Sequence, residues 1–293
     1  MAGSILDLLG IQGPGLPFAD DPESLVEKGV CMAWRPELVA LDIDGTLLGA
    51  DQRVPERVLD AVSNVVAAGV PVVLSTGRGW AGTRPVAEAL GLPPGQHVSS
   101  NGAVRVSFPP LEMLHRVTFD PTRVVERVLA EHPEAMLATE VIGWGFKVNR
   151  LFPVGELNGG VMQVELDEML SEPVTRVVVR DPNASEADFL RLADRLGLHG
   201  VSYFIGYTAW LDIAPEGVDK ASGLAAVCAD LGIAASDVLA LGDGRNDIEM
   251  LRWAGRGVAL ADAPAEVRLA ADAVTGRFAD GGTADELTRW FPG

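Results

Sequence analysis

The sequence predicts an α/β protein in which a doubly wound, Rossmann-like parallel sheet is interrupted by an inserted α+β module. In the first hundred residues, short apolar runs typical of buried strands alternate with amphipathic helical patterns. The middle of the chain then changes to strands of alternating apolar and polar residues. Strand–helix alternation returns before the C-terminus, so one core with one insertion is the simplest arrangement.

The composition indicates a strongly acidic globular protein. Of the 293 residues, 48% are hydrophobic and 22% are charged, and 23 Lys and Arg face 41 Asp and Glu, which gives a net charge of −18. Such a surface repels nucleic-acid backbones and anionic lipids, so we expect neither as a partner. Cys31 and Cys228 are too few for a disulfide framework or a metal quartet, and fit a reducing cytoplasm. No apolar run reaches the roughly 18 residues of a membrane span.

The first core segment is predicted at 36–118, after a turn-rich leader at 1–35. Its strands are predicted from apolar runs that end in polar residues, and its helices from single apolar faces. Pro55 and Gly69 mark the start and the end of the first helix. The predicted strands are Leu38–Asp44, Val70–Thr76 and His97–Ser100, the helices are Pro55–Ala68 and Arg84–Leu90, and a hairpin follows at Val104–Phe119.

The inserted module is predicted at 119–210 and the second core segment at 211–293. In the module, helices are predicted at Pro121–His132 and Ser185–Leu196, and half-buried strands at Ala135–Ile142, Thr175–Arg180 and Val201–Ile213. The second core segment has predicted helices at Lys220–Leu231, Asp247–Ala254 and Thr283–Phe291, with a further helix before the last strand. Its predicted strands are Val238–Gly242, Gly257–Leu260 and Ala273–Thr275.

Four short segments fall where a parallel sheet exposes its strand ends, which is where α/β folds bind ligands. They are Asp42-Ile-Asp-Gly-Thr46, Ser75-Thr-Gly-Arg78, Asp219-Lys220 and Gly242-Asp-Gly-Arg-Asn-Asp247. Asp42 and Asp44 lie two residues apart, so they share one face of a regular strand. A carboxylate pair at a strand tip offers a nucleophile and a proton-transfer group.

The Asp42–Asp44 pair has two alternative interpretations. It could be a solvated or helix-capping doublet, which is common for aspartates at strand ends. A calcium loop is the other alternative, and the sequence excludes it. Leu47 stands where such a loop needs its turn glycine, and Arg53 where it needs a bidentate glutamate.

The order and spacing of the four segments resemble the haloacid dehalogenase (HAD) superfamily, in its Cof-like class IIB branch of sugar-phosphate phosphatases. The resemblance covers the chain from about residue 36 to the C-terminus. It implies a HAD core with the inserted module as a C2B-type cap. It also implies a magnesium-dependent phosphatase that acts on a small phosphorylated metabolite, such as a sugar phosphate.

The resemblance assigns roles to individual residues. Asp42 would attack phosphorus to form an aspartyl phosphate, while Asp44 would protonate the leaving alkoxide and then activate water. Mg²⁺ would be held by the carboxylates of Asp42 and Asp243 and by the carbonyl of Asp44, with Asp247 holding a metal-bound water or lying just behind. The phosphate and substrate ligands would be Thr76, Gly77, Arg78, Asn101, Lys220 and Asn246.

Charge counting supports the metal. The carboxylates of Asp42, Asp243 and Asp247 bring −3 when Asp44 is protonated, and a phosphate monoester adds about −2, against +1 from Lys220. Like charges roughly 4 Å apart repel by about 4 kcal/mol even at an effective dielectric constant of 20, so the cluster needs a divalent cation to bind phosphate. Oxygen ligands without His or Cys favour Mg²⁺ over Zn²⁺.

Several assignments leave alternatives open. Asp247 could cap a helix N-terminus, and Lys220 could be a solvated residue at a helix start, although a cation is unfavourable there. Arg78 could pair with the substrate or with a core carboxylate, and Asn101 with its following glycine is also a common hairpin signal. In the cap, Trp144, Arg150 and Trp210 could line a sugar site, although such residues more often belong to the core or the rim.

Other functions are compatible with this fold. A sugar phosphomutase or another phosphotransferase would differ around the fourth segment. A dehalogenase would lack the Asp44 equivalent and the metal cluster. A non-catalytic metabolite-binding protein would have lost the nucleophile or the lysine, and both are present. We therefore expect a cytoplasmic phosphatase that is a monomer or a weak homodimer.

Overall fold

The computed structural model describes residues 34–181, Ser185, 201–205 and 210–293. The predicted leader, apart from its last two residues, and the predicted helix after Ser185 lie outside the described residues. Within the described part of the chain, no helix is both long and apolar enough to cross a membrane.

The first part of the described chain alternates strands and helices and then forms a hairpin. Its elements are β1 (Leu38–Leu41), α1 (Glu56–Ala67), β2 (Val72–Leu74), α2 (Trp80–Ala89), β3 (Gly95–Ser99), β4 (Val104–Phe108) and β5 (Glu112–Arg116). Every residue of β1 and β2 is buried, as expected for strands covered on both faces. Helix α2 begins four residues before the predicted start, because Trp80 and Thr83 already bury their side chains.

The middle of the chain is richer in strands than predicted. Its elements are α3 (Thr122–Glu131), β6 (Met136–Val141), β7 (Gly145–Val148), β8 (Gly160–Gln163), α4 (Leu166–Met169), β9 (Val177–Arg180), β10 (Val201–Ile205) and β11 (Trp210–Pro215). The prediction of one strand at Val201–Ile213 was wrong, since β10 and β11 pair antiparallel from Val201↔Pro215 to Ile205↔Leu211. Gly206, which lies within that run, is the kind of residue that interrupts a strand pattern.

The last part of the chain matches its prediction to within one or two residues at most boundaries. Its elements are α5 (Lys220–Leu231), β12 (Val238–Gly242), α6 (Ile248–Trp253), β13 (Arg256–Ala259), α7 (Ala265–Ala270), β14 (Ala273–Val274) and α8 (Gly282–Trp290). Asp219 caps α5, because its side chain accepts a hydrogen bond from the backbone N–H of Ser222 and the Ser222 hydroxyl is bonded in return to the backbone of Asp219.

The strands form three sheets. The central sheet is parallel in the order β14-β13-β12-β1-β2, a second sheet has the order β10-β11-β9-β6-β7-β8, and a third is the antiparallel set β3-β4-β5. The expected strand at His97–Ser100 is therefore not a full member of the parallel sheet. It touches that sheet through the Ser75↔Val98 bridge, but its ladder partner is β4.

The six-stranded sheet extends beyond the predicted end of the cap. Strand β11 pairs with β9 over Trp210–Ile213, so it crosses the predicted boundary at 210/211. We propose that the cap runs from 119 to Pro215 and that the core resumes after it, because Lys220 begins a helix that packs on the central sheet. The six-stranded sheet buries one face against α3, through Val125, Val128 and their neighbours.

The strand register brings the polar segments together. Leu41 is paired with Leu241 on one side and with Leu74 on the other, so β12, β1 and β2 end side by side. Because the strands are parallel, the residues after all three strands emerge at the same edge of the sheet. The first, second and fourth segments of the sequence motif therefore meet there.

One buried histidine lies beneath this edge. His97 is fully buried in β3, its ring stacks on Trp80 at 6.1 Å, and its Nδ1 accepts a hydrogen bond of 3.3 Å from the backbone N–H of Leu74. Because Nδ1 is an acceptor, the neutral tautomer carries its proton on Nε2. Burial lowers the pKa of His97 to about 4, so the folded protein holds it neutral.

We expect His97 to make stability depend on pH between about 4 and 6.5. In that interval the unfolded chain binds a proton at this position and the folded chain does not, so the free energy of unfolding falls as the pH falls. The difference between the pKa values of His97 in the unfolded and the folded chain corresponds to about 3 kcal/mol in the free energy of unfolding. Urea titrations at pH 6.5 and pH 4 should show that the free energy of unfolding falls less between these two pH values in His97→Gln than in the wild type. His115→Gln changes an exposed histidine, so its free energy of unfolding should fall as much as that of the wild type.

Candidate active site

A buried lysine joins two of the polar segments. Lys220, the first residue of α5, is 0% exposed, and its Nζ lies 2.6 Å from Asp42 Oδ1 and 2.6 Å from Asp247 Oδ1. Asp42 follows β1 and is itself buried. A solvated lysine at a helix start is therefore not what the structure shows. The ammonium group is the positive centre of a buried cluster.

The cluster holds more negative charge than the lysine neutralises. Burial alone would lower the pKa of Lys220, but Asp247 and Asp42 outweigh it, so the pKa is raised. Burial, and then the charge of Asp247, raises the pKa of Asp42 well above its usual range in spite of Lys220. Burial and Asp247 also raise the pKa of Asp243 to about 7. A further cation would oppose the shifts of Asp42 and Asp243 by favouring their ionised forms.

Asp247 holds the fourth segment in shape. Its Oδ2 accepts hydrogen bonds from the backbone N–H groups of Asp243 at 2.9 Å and Gly244 at 2.8 Å, while its Oδ1 accepts from Lys220. The Asp247 side chain thus caps the turn before α6, which was one alternative for it, and it also faces the charged cluster.

The position of Asp243 depends on a glycine. Thr46 Oγ1 donates a hydrogen bond of 3.1 Å to Asp243 Oδ1, and the Thr283 hydroxyl in turn donates to the Thr46 carbonyl at 2.6 Å. Gly45 has φ +80, and a Cβ at that position would lie 2.2 Å from Asp243 Oδ2. The positive φ and the close approach both require glycine here.

The carboxylate cluster fits a hard divalent cation. One carboxylate oxygen from each of Asp42, Asp243 and Asp247 lies within 4.8 Å of the others. The donor set consists of oxygens alone, which suits Mg²⁺ better than Zn²⁺. Burial, and then the negative charge of Asp247, raises the pKa of Asp42 and of Asp243, and a dication would oppose both effects.

Asp44 is bound by the arginine of the second segment. Arg78 donates from Nε to Asp44 Oδ2 at 2.7 Å and from Nη2 to Asp44 Oδ1 at 2.5 Å, and it also reaches Gln52 Oε1. The Arg78 side chain is 9% exposed and that of Asp44 is 54% exposed. In this structure, Arg78 is therefore paired with a carboxylate of the core, that of Asp44, which was one of the two alternatives for it. The backbone N–H of Arg78 donates to Thr76 Oγ1 at 3.1 Å.

Asn101 lies between the core and the cap. It has φ 52 within a turn at Ser100–Gly102 that joins β3 to β4, and its backbone N–H donates to the Thr76 carbonyl at 3.0 Å. Its side chain donates to Asp212 Oδ2 at 3.0 Å and accepts from Asn246 Nδ2 at 2.9 Å. The residue is thus part of a hairpin turn and also connects the second and fourth segments to the cap.

Three charged cap residues at this site were missing from the sequence prediction. Arg176 pairs with Asp212 at 2.7 Å and also donates to the Gly77 carbonyl, while Glu140 Oε2 accepts from Ser100 Oγ at 2.5 Å. All three are buried. A signal for two of them exists in the sequence, because Arg176 and Asp212 each adjoin or interrupt a run of apolar strand residues.

A cavity of about 300 Å³ opens between these groups. Most of the predicted site residues line it, whereas Lys220 and Asp247 lie buried behind it. Trp144, 45% exposed, and Arg150, which pairs with Glu134, are not among the described residues that line it, and the side chain of Trp210 lies outside the described part. The predicted residues that line the cavity are Asp42, Asp44, Thr76, Gly77, Arg78, Asn101, Asp243 and Asn246.

The chain is similar to a known family of hydrolases. Residues 39–134 and 158–287 match the family of haloacid dehalogenase-like hydrolases. A phosphoglycolate phosphatase of Natronomonas pharaonis is 34% identical over 244 residues, which are 83% of this chain and 93% of that protein.

Two solved structures share the fold. The HAD phosphatase BT1666 from Bacteroides thetaiotaomicron is 26% identical with a TM-score of 0.77, and the match covers 90% of this chain and 98% of that one. A HAD subclass IIB sugar phosphatase, BT4131, is 22% identical with a TM-score of 0.74, over 86% of this chain and 98% of that one. Both matches extend over the core and the cap.

We expect Gly45→Ala to disrupt the acidic cluster. The new Cβ would collide with the Asp243 carboxylate, so the affinity for Mg²⁺ should fall by at least about tenfold, measured by titration calorimetry. Gly69→Ala is a matched control, because Gly69 has φ +75 but nothing within 4 Å of the added Cβ. It should lower the free energy of unfolding by about 1 kcal/mol and leave the affinity unchanged. Equal affinities for the two variants would contradict the assigned position of the cation.

Proposed function

We infer the function from one premise: this chain belongs to the haloacid dehalogenase superfamily and is a phosphatase with the Cof-like class IIB fold. We propose that it hydrolyses small phosphate monoesters through an aspartyl phosphate on Asp42. The observation that carries the proposal is the buried arrangement of Lys220 between Asp42 and Asp247, at the end of a parallel strand and behind a cavity. This arrangement collects a carboxylate nucleophile and the charges that bind a phosphate in one place.

Asp42 is suited to act as the nucleophile. Its Oδ1 is held by Lys220, and the residue lines the cavity, so its second oxygen can face a bound phosphate. In the first step that oxygen bonds to phosphorus while the ester bond to the leaving oxygen breaks. In the second step water bonds to phosphorus, the bond between phosphorus and the Asp42 oxygen breaks, and inorganic phosphate leaves with the Asp42 carboxylate restored.

Asp44 is proposed to move the proton in both steps. It would give a proton to the departing alkoxide and then take one from the attacking water. Its 54% exposed side chain is held by Arg78 through two hydrogen bonds, and Arg78 also contacts Gln52. A protonated Asp44 binds a guanidinium group less strongly than a carboxylate does, so a substrate phosphate can compete for Arg78.

Mg²⁺ is proposed as the cofactor. The carboxylates of Asp42, Asp243 and Asp247, with the backbone carbonyl of Asp44, would hold it. When bound, the ion neutralises negative charge on the phosphoryl oxygens, which Lys220 alone cannot balance. Thr76, Gly77 and Asn246 line the same cavity and would bind the phosphate oxygens through hydroxyl, backbone N–H and amide groups.

The cavity limits the substrate to a small metabolite. A volume of about 300 Å³ is at the lower end for ligand pockets. Polar groups such as Asn158, Asp212 and Arg176 line the cap side of the cavity beside Phe146. A phosphorylated sugar or polyol has the size and the hydroxyl groups to fit such a lining.

We expect Asp42→Asn to abolish phosphate release. Turnover of a chromogenic aryl phosphate and of a panel of sugar phosphates should require Mg²⁺ in the wild type and should fall by at least about a thousandfold in the variant, because the amide is a very poor nucleophile. Asp60→Asn removes an exposed carboxylate from α1 and should retain wild-type activity.

Three other results would decide against hydrolysis through Asp42. Transfer of the phosphoryl group to an added sugar alcohol, in preference to water, would indicate a phosphotransferase. No turnover of any ester by protein that binds Mg²⁺ in calorimetry would indicate a non-catalytic protein. Wild-type activity in Asp42→Asn would rule out this residue as the nucleophile.

A further inference from the structure

The cap contributes one buried carboxylate to the cavity. Asp212 lies in the middle of β11, its side chain is 8% exposed, and it lines the cavity on the side opposite the polar strand ends of the core. Burial raises the pKa of Asp212, and the guanidinium group of Arg176 opposes that shift. An ionised group at this depth needs partners, so its hydrogen bonds indicate what it can still bind.

The partners of Asp212 leave one acceptor position open. Oδ2 accepts a hydrogen bond from Asn101 Nδ2 at 3.0 Å and lies 2.7 Å from Arg176 Nη2, whereas Oδ1 accepts a hydrogen bond from Arg176 Nε at 3.2 Å. Each carboxylate oxygen can accept about two hydrogen bonds. Oδ1 therefore has room for one donor from a bound ligand, such as a hydroxyl group. A ligand carboxylate has no proton to donate.

The arginines that could bind a ligand carboxylate already pair with carboxylates of the protein. The guanidinium of Arg176 also donates to the Gly77 carbonyl and lies over the Phe146 ring at 5.6 Å. A carboxylate that recruited Arg176 would draw it from Asp212 and leave that buried carboxylate without its charge partner. Of the other two arginines among the described residues that line the cavity, Arg78 is bound to Asp44 and is the group for which the substrate phosphate would compete, and Arg245 forms a partly exposed pair with Glu266.

We propose that Asp212 is a specificity-determining residue, which favours leaving groups with a free hydroxyl and rejects leaving groups that carry a carboxylate. The inference rests on the proposed function, because it states which phosphate esters the same site accepts. The relative from Natronomonas pharaonis bears the name of an enzyme for phosphoglycolate, which carries a carboxylate. The inference thus predicts that this chain rejects the class of ester that the relative's name gives.

The test compares glycerol 3-phosphate with 3-phosphoglycerate. The two esters share the three-carbon chain and the secondary hydroxyl, and they differ in a hydroxymethyl group against a carboxylate. The wild type should favour glycerol 3-phosphate by at least about tenfold in kcat/KM, which corresponds to ~1.4 kcal/mol. An ester that turns over too slowly gives an upper limit for its kcat/KM, and its inhibition constant against aryl phosphate hydrolysis shows how tightly it binds.

Asp212→Asn should reduce that preference by about tenfold. The neutral amide lets Arg176 bind a ligand carboxylate, so hydrolysis of 3-phosphoglycerate should improve relative to glycerol 3-phosphate. Asp285→Asn is the matched control, since it makes the same change of charge in an exposed pair with Arg57. Its preference should equal that of the wild type. Thermal melts show whether each variant is folded, and the wild-type comparison needs no variant.

The possible results are distinguishable. Wild-type protein that hydrolyses 3-phosphoglycerate or phosphoglycolate as well as glycerol 3-phosphate overturns the inference while the proposed function stands. Equal losses for both esters in folded Asp212→Asn also overturn it, because they indicate a purely structural ion pair. No turnover of the aryl phosphate or of any ester overturns the proposed function, and the inference with it.

Discussion

The burial of Lys220 between Asp42 and Asp247 is the interaction on which the site depends. A fully buried ammonium group is stable only with close carboxylate partners, and the two partners come from different strand ends of the central sheet. Their juxtaposition requires β1 and β12 to be adjacent and α5 to begin directly behind them. With Asp243 beside them, the carboxylates outnumber the lysine, so the fold itself creates a place for a divalent cation.

This part of the molecule could be predicted from the sequence because it follows from local patterns. Short apolar runs that end in polar residues predict parallel strands, and parallel strands expose their carboxyl ends at one edge. Those two rules are enough to place Asp42, Thr76 and Asp243 close together. Lys220 could be found for a different reason, since it is one of few lysines and stands at a helix start, where a solvated cation is unfavourable.

The cap contacts could not be predicted, because they depend on how two sheets pack against each other. Nothing local to Asp212 shows that Asn101 and Arg176 are its partners, as they lie 111 and 36 residues away in the chain. The choice of Asp44 as the partner of Arg78 likewise depends on the packing of two loops. The pairing of β7 with β8 and of β10 with β11 was missed because glycine interrupts the pattern in or beside these strands.

The cap is joined to the second and fourth segments of the core by a continuous set of polar contacts. Asn246 donates to Asn101, Asn101 donates to Asp212, and Arg176 connects Asp212 to the Gly77 carbonyl. A leaving group that draws Arg176 away from Asp212 would therefore also disturb a backbone group beside the proposed phosphate site. In the proposed mechanism those contacts matter most when charge builds up on the phosphoryl oxygens, so a misfit in the cap would affect the transition state as well as substrate binding. Discrimination by Asp212 would then lower kcat as well as raise KM, which a separate binding pocket for the leaving group would not do.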